Sequence, residues 1–385
     1  MPLKKRIMFV FGTRPEAIKM APLIIEMKKH ADMLSPIIVS TGQHKEMLHQ
    51  VLRIFDIHPD YDLDIMEESQ TLSQIVIKTL QGLESVIMRE KPDMILVQGD
   101  TSSAFAAGLC AFNNRIPVGH VEAGLRTYDK FRPYPEEVNR RLVSVIADLH
   151  FAPTSTSVSQ LLAENIPRST IYCTGNTVID ALLFVANKNF DISKSNIKLD
   201  PKKKTILVTA HRRESLGVPM RGIFQAIRRL VEKYPNEIQI VLPAHKNPAV
   251  RVAVQEILGD VSGVFVTEPM DYEPFVHIMK SSYFILTDSG GVQEEAPSLG
   301  KPVLVLREKT ERPEAIEAGT VKLIGVNEET IFSEAENLLT NEGTYKKMQK
   351  AVNPYGDGHA SERMVSAILH HFGFKDSRLK EFSQI

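Results

Sequence analysis

Cysteine is scarce in this chain: Cys110 and Cys173 are the only two in 385 residues. Two thiols cannot build a disulfide framework, and no Cys-x-x-Cys pair is present, which suits a reducing compartment. An excess of one charge is absent as well. Lys and Arg total 46 against 47 Asp and Glu, leaving no field to draw nucleic acid or an anionic membrane. No apolar run approaches the roughly 20 residues that span a bilayer. Lys4-Lys5-Arg6 before Ile7–Phe11 imitates a signal peptide, but the run is short and enters Gly12-Thr13-Arg14-Pro15 without a small-residue cleavage site. A cytoplasmic protein is expected. The dinucleotide fingerprint Gly-x-Gly-x-x-Gly is missing, so a nicotinamide cofactor lacks its usual support. No His or Cys pair stands at zinc-ligand spacing, which argues against a metal.

What is present is an ordinary globular composition, 43% hydrophobic and 24% charged. Short β-branched runs alternate with longer amphipathic stretches. Strands are expected at Ile7–Phe11, Ile37–Ser40, Met94–Gln98, Val118–Val121, Thr205–Thr209, Ile238–Leu242, Tyr283–Leu286 and Val303–Leu306. Helical patterns lie between most of them, such as Glu16–Lys29, Leu72–Arg89, Ser102–Asn113 and Met220–Lys233. Continuous apolar strands separated by helices imply an α/β protein with parallel sheets covered on both faces. The boundary between two domains, 1–174 and 175–360, is placed near Cys173–Thr177. An internal echo fits two similar halves. Gly99-Asp100-Thr-Ser leads through a helix to Arg115-Ile-Pro-Val, and Asp288-Ser-Gly-Gly leads through a helix to Gly300-Lys-Pro-Val.

The distinctive residues fall at strand ends, where open α/β sheets bind ligands. Arg14 and Lys19 follow the first strand and flank a helix start, which suits phosphate; solvated surface charge is the plainer reading. Asp100, Glu122 and Glu136 are three carboxylates that can meet on one rim. Such a group suits proton abstraction and return when its members hold different protonation states. Structural ion pairing with Arg126, Arg132 or Arg140 competes with that reading. In the second half, His211-Arg212-Arg213 ends a strand with a histidine and two cations, a set suited to a leaving phosphate. Asp288-Ser289-Gly290-Gly291 turns from a strand into a helix whose free N–H groups favour a diphosphate. The glycines leave room for close approach, and Glu294 and Glu295 can accept from ribose hydroxyls. A capped Gly-rich turn is the bland alternative. Phe275 can stack on a base or fill a core, and Arg312 adds a cation. His245 alone reads as a structural histidine.

Together the segments closely resemble the non-hydrolysing UDP-N-acetylglucosamine 2-epimerases. The match is carried by Gly12-Thr-Arg-Pro-Glu-Ala-Ile-Lys-Met-Ala-Pro22, Gln98-Gly-Asp-Thr101, His120-Val-Glu-Ala-Gly-Leu-Arg-Thr127 and Pro135-Glu-Glu-Val-Asn-Arg140. It continues through Asn176-Thr-Val-Ile-Asp180, His211-Arg-Arg-Glu214, Asp288-Ser-Gly-Gly-Val-Gln-Glu-Glu-Ala-Pro297 and Thr310-Glu-Arg-Pro-Glu314. The resemblance implies the glycosyltransferase-B fold, two Rossmann-like doubly wound domains facing across a cleft that holds the active site. A final helix, in Ser361–Phe372 of the segment 361–385, returns to the first domain. It also implies a homodimer that interconverts UDP-N-acetylglucosamine and UDP-N-acetylmannosamine for surface polysaccharides, without a cofactor.

By the same resemblance Asp100, Glu122, Glu136 and His211 are catalytic. Arg14, Lys19, Met270 (through its backbone), Phe275, Ser289, Gly290, Gly291, Glu295 and Arg312 bind the UDP-sugar. Some bacterial members need a second molecule of substrate as an activator, at positions that correspond to Gln43, Gln70, Glu136, Arg213 and His245. Glu46 and Ser69 depart from the Gln and Arg of activator-dependent members, and losing an Arg removes a planar multi-donor contact. Activation is expected to persist at a higher activator concentration.

Overall fold

The computed structural model describes residues 3–42, 45–67, 69–192, 197–212, 215–310 and 312–383, with 45–47 described through their backbone alone. The chain divides into two compact units, Met1–Ala181 with Tyr355–Ile385, and Leu182–Pro354. Unit 1 contains β1 (Lys5–Phe11), β2 (Leu34–Ser40), β3 (Tyr61–Asp62), β4 (Met94–Gln98), β5 (Val118–Val121), β6 (Leu149–Ala152) and β7 (Ile171–Cys173). They form one sheet in the order β3-β2-β1-β4-β5-β6-β7, with every neighbouring pair parallel. Unit 2 contains β8 (Lys204–Thr209), β9 (Ile238–Pro243), β10 (Val264–Thr267), β11 (Phe284–Thr287), β12 (Val303–Val305) and β13 (Val321–Leu323). Their order is β10-β9-β8-β11-β12-β13, again all parallel.

Each unit is therefore a Rossmann-like doubly wound sheet, as the alternating pattern predicts. The strand order reverses once in each, between β1 and β4 and between β8 and β11. The internal echo now has a cause: β4 and β11 occupy the same place in their sheets, each beside the first strand of its unit. Met8, Val10, Ile95 and Val97 of the central strands join Leu83, Val86 and Ala107 of covering helices in the unit 1 core. Ile206, Val208, Ile240 and Leu286 join Phe224, Ile227 and Leu230 in unit 2.

The eight expected strands are all present, Met94–Gln98 and Val118–Val121 with the expected bounds and the other six with shifted ends. Five others carried no readable signal: β3, β6, β7, β10 and β13 have two to four residues each. Four of them, β3, β7, β10 and β13, lie at sheet edges. β3, β10 and β13 are incompletely buried, whereas β7 is buried throughout but only three residues long. In β6 the buried His150 breaks the pattern, and its Nε2 meets the Ser144 carbonyl at 2.9 Å.

The units change at 181/182 and 354/355, where the sequence placed 174/175 and 360/361. The helix Thr177–Ala186 runs across the division. Asp180, in its first half, accepts the backbone N–H groups of Ala360 at 3.3 Å and Ser361 at 2.7 Å. That buried carboxylate joins the start of the returning helix Ala360–His371 to unit 1, where it packs against the helix Arg14–Lys28. Among the described residues no helix is long and apolar enough to cross a membrane.

Candidate functional site

In unit 1 the side of the sheet where the strands end carries an ordered polar cluster. Glu122 follows β5 with its backbone in the left-handed region, φ 65°, a conformation that costs a non-glycine residue strain and points to function. Its carboxylate receives Lys19 Nζ at 2.5 and 2.6 Å, Gln98 Nε2 at 2.5 Å and Asn176 Nδ2 at 3.0 Å. Gly99 takes φ +67°, a conformation that favours glycine, and a Cβ there would meet Glu122 Oε2 in ordinary contact at 3.6 Å. Lys19, expected to bind the UDP-sugar, is ion-paired here with a catalytic candidate.

Asp100 ends the neighbouring β4 and pairs with Arg140. Burial pushes its carboxyl above the usual range, while Arg140 and Lys19 oppose that rise and Glu122 adds to it. Two carboxylates at adjacent strand ends therefore sense each other, and the ion pairing that competed with catalysis is present alongside. Glu136 opens the helix Glu136–Ile146, half-buried, with no hydrogen bond or ion pair among the described residues. Its neighbour Glu137 is buried and accepts from the backbones of Thr127 and Tyr128 at 3.1 and 3.0 Å. The tandem pair divides into one structural and one available carboxylate. Arg14 is half-buried and similarly uncommitted.

Behind these groups the turns are fixed by buried partners. Glu16 accepts from Gly12 N at 3.1 Å, Thr13 N at 2.8 Å and Thr101 Oγ1 at 2.8 Å, which joins the loop after β1 to the loop after β4. Its burial pushes the carboxyl upward. His120 is buried with Nε2 on the Gly99 carbonyl at 2.8 Å, and burial pushes its imidazole down to about 3. It is a neutral support.

Unit 2 repeats the arrangement with different chemistry. Asp288, fully buried after β11, accepts from the backbone N–H of His211 at 2.7 Å and Arg212 at 2.8 Å after β8. A carboxylate again ties the two loops at the point of reversal. The His211 ring stacks on His245 with centroids 5.4 Å apart, and its Nε2 lies 3.9 Å from Asp288 Oδ1. Ser289 N bonds Thr287 Oγ1 at 3.0 Å, and Gly290 opens the helix Gly290–Glu295. A Cβ on Gly290 would stand 3.4 Å from Arg312 Cζ, whereas one on Gly291 would meet only Ser289 Oγ at 4.0 Å. Arg312 is set by Glu294, Nε to Oε1 at 2.7 Å.

Glu295 is buried and accepts from Tyr272 OH at 3.3 Å. Phe275 and Met270 are half-buried at and just before the helix Tyr272–Ser281. Of the activator positions, Gln43 and Arg213 lie outside the described residues, as does the side chain of Glu46. Gln70 Nε2 donates to the Ile65 carbonyl at 2.8 Å, and Ser69 is exposed with φ 58°. Among the described residues no group of three or more His, Cys, Asp or Glu is arranged for a metal.

Sequence reasoning gave no role to Gln98, Asn176 or Glu16. The signal was available in part: a glutamine ending the apolar run Met94–Val97 is a buried amide that needs a partner.

The family model described as UDP-N-acetylglucosamine 2-epimerase matches residues 26–369. A UDP-N-acetylglucosamine 2-epimerase of Bacillus subtilis (strain 168) is 52% identical over 382 residues, 99% of each chain. The S. aureus protein solved with UDP is 52% identical with a TM-score of 0.85, covering 98% of this chain and 100% of that one. The Neisseria meningitidis UDP-GlcNAc 2-epimerase bound to UDP-GlcNAc is 48% identical with a TM-score of 0.83, covering 95% and 100%.

Proposed function

The chain belongs to the UDP-N-acetylglucosamine 2-epimerase family, and on that premise we propose that it interconverts UDP-N-acetylglucosamine and UDP-N-acetylmannosamine by elimination and re-addition of UDP. The observation that supports this most is the carboxylate pair Glu122 and Asp100, held at adjacent strand ends with Lys19 and Arg140. The sugar C2 proton is not activated by a carbonyl. Breaking the C1–O bond places positive character on C1, which makes that proton removable. UDP and 2-acetamidoglucal are the products of this step. Protonation of C2 on the opposite face and return of UDP then complete the epimerisation. The reaction needs two proton-handling groups in different states, and the raised carboxyl of Asp100 beside the multiply hydrogen-bonded Glu122 answers that need. Glu136 is the third, uncommitted acid.

In this reading the departing diphosphate is held by the N–H groups at Ser289-Gly290-Gly291, by Arg312 and by His211, with Arg14 as a further cation. Phe275, Met270 and Glu295 serve the uridine and ribose. The chain works in the cytoplasm for surface polysaccharide synthesis, without cofactor, and returns UDP to the sugar instead of releasing free N-acetylmannosamine. It acts as a homodimer, for which the outer face of Glu136–Ile146 offers exposed Val138, Leu142 and Val145 to a second copy.

Incubation with UDP-N-acetylglucosamine in heavy water tests the whole reading. The expected product is UDP-linked sugar carrying deuterium at C2. Accumulation of free sugar would mark a hydrolysing enzyme, and absence of solvent isotope at C2 would refute the mechanism.

A further inference from the structure

The motif Asn176-Thr-Val-Ile-Asp180 is the one distinctive segment to which the reaction assigns no part. Its place in unit 1 is specific. Asn176 is buried and uses three groups at once. Its backbone N–H donates to the Tyr355 carbonyl at 2.7 Å, its Oδ1 accepts from Val178 N at 3.0 Å, and its Nδ2 donates to Glu122 Oε1 at 3.0 Å. The orientation of the amide is therefore determined. Oδ1 must face the Val178 N–H, which leaves only Nδ2 for the carboxylate.

The backbone at this point is clamped as well. Gly175 has φ +84°, and a Cβ on it would lie 3.4 Å from the Gly356 Cα. Four residues after Asn176, Asp180 receives the N–H groups of Ala360 and Ser361. Arg363, paired with Asp357, donates to the Thr174 carbonyl at 3.1 Å. The returning segment thus grips Thr174–Asp180 on both sides of the Asn176 amide that reaches Glu122.

We propose that Asn176 is a positioning residue for Glu122 and that the returning segment Tyr355–Arg363 exists in part to set it. This rests on the reading of Glu122 as a proton-handling group. Lys19 alone contacts both carboxylate oxygens and leaves the carboxylate plane free to rotate about the contact. Gln98 on Oε2 and Asn176 on Oε1 each add a second, directional bond to an oxygen that Lys19 already touches, and together they fix the carboxylate plane. A displacement of about 1 Å in such a group can cost roughly a hundredfold in rate.

The test compares Asn176→Ala, Asn176→Asp and Glu122→Gln with the intact chain. Asn176→Asp retains the acceptor for Val178 N–H and the backbone bond to Tyr355, so its fold is preserved while the donor to Glu122 becomes a second carboxylate. Among the described residues, the charged or titratable groups around Glu122 include Lys19, Asp100 and the neutral His120. Lys19 already donates to the same Oε1 at 2.5 Å, so loss of the Asn176 bond removes the directional restraint and leaves the ion pair in place. Asn176→Ala is expected to lower kcat roughly tenfold to a hundredfold, with KM for UDP-N-acetylglucosamine and calorimetric UDP affinity within about twofold. In Asn176→Asp two carboxylates about 3 Å apart share a proton, so the acid limb of the kcat/KM profile moves upward by about one pH unit or more. Full turnover with an unshifted profile in Asn176→Asp overturns the proposal. If Glu122→Gln is inactive while both Asn176 variants are normal, only the positioning role fails. If Glu122→Gln is also normal, the reading of Glu122 itself falls.

Discussion

Gly290→Val probes the phosphate holder at a defined point. A Cβ at this position would already stand 3.4 Å from Arg312 Cζ and 3.6 Å from its Nε and Nη2. Alanine can be absorbed, because a guanidinium end shifts a few tenths of an ångström. Valine extends about 1.5 Å further in two directions and must displace Arg312 from Glu294, where Nε sits 2.7 Å from Oε1. One charge-assisted contact to the diphosphate is then lost, worth about 1.5–3 kcal/mol, or roughly 10- to 150-fold in affinity. Gly290 is not among the residues with positive φ, so valine brings no backbone strain, and a fall in melting temperature would report the broken Arg312–Glu294 pair. Calorimetric titration with UDP of the intact chain, Gly290→Ala and Gly290→Val is the assay. The expected order is wild type and alanine close together, valine weaker by at least tenfold. Valine binding UDP within about twofold of wild type would refute the reasoning and leave Ser289-Gly290-Gly291 as a turn that serves the fold alone.

Asp100→Asn, Glu122→Gln and Glu136→Gln should each lower turnover by more than about 10²-fold with modest effects on UDP affinity; steady-state kinetics that leave one near normal would remove it from the catalytic set. Glu16 gives a pH-dependent stability effect. Its carboxyl is raised by burial above the ordinary 4.5, so the native state holds a proton that the unfolded chain releases, and stability falls as pH rises from 4.5 through the native value. Urea unfolding should show the intact chain losing ground to Glu16→Gln across that window and running parallel to it above; a pH-independent difference would contradict the cause. Glu16→Ala strands the N–H groups of Gly12 and Thr13 and should cost about 1–3 kcal/mol for each left unsatisfied. For activation, progress curves from UDP-N-acetylmannosamine should show a lag that added UDP-N-acetylglucosamine abolishes, at a higher concentration than relatives with the Arg require; an immediate linear rate would show that this chain does without an activator.

The architecture was legible because it rests on local regularities. Continuous apolar strands such as Ile7–Phe11 and helices with one covered face announce parallel sheets wherever they alternate. Their edges were not, since β3, β7, β10 and β13 are too short to show a period and are recognised only by the partner beside them. Asp100, Glu122 and Glu136 stood out as carboxylates at strand ends or at a helix start. Which of the tandem Glu136 and Glu137 is structural did not, because that depends on the Thr127 and Tyr128 N–H groups meeting Glu137. Lys19 shows the same limit: its charge was evident, its partner was not.

The amino-acid order by itself determined the two doubly wound units and the positions at their strand ends, since hydrophobic period, turn residues and charge type act over a few neighbours. Only the tertiary structure decided the partnerships: Lys19 with Glu122 across 103 residues, Arg140 with Asp100 across 40, Ser361 with Asp180 across 181. Hydrogen bonds are short and directional, so their partners are chosen by where the folded backbone brings atoms within about 3 Å. No spacing along the chain carries that information.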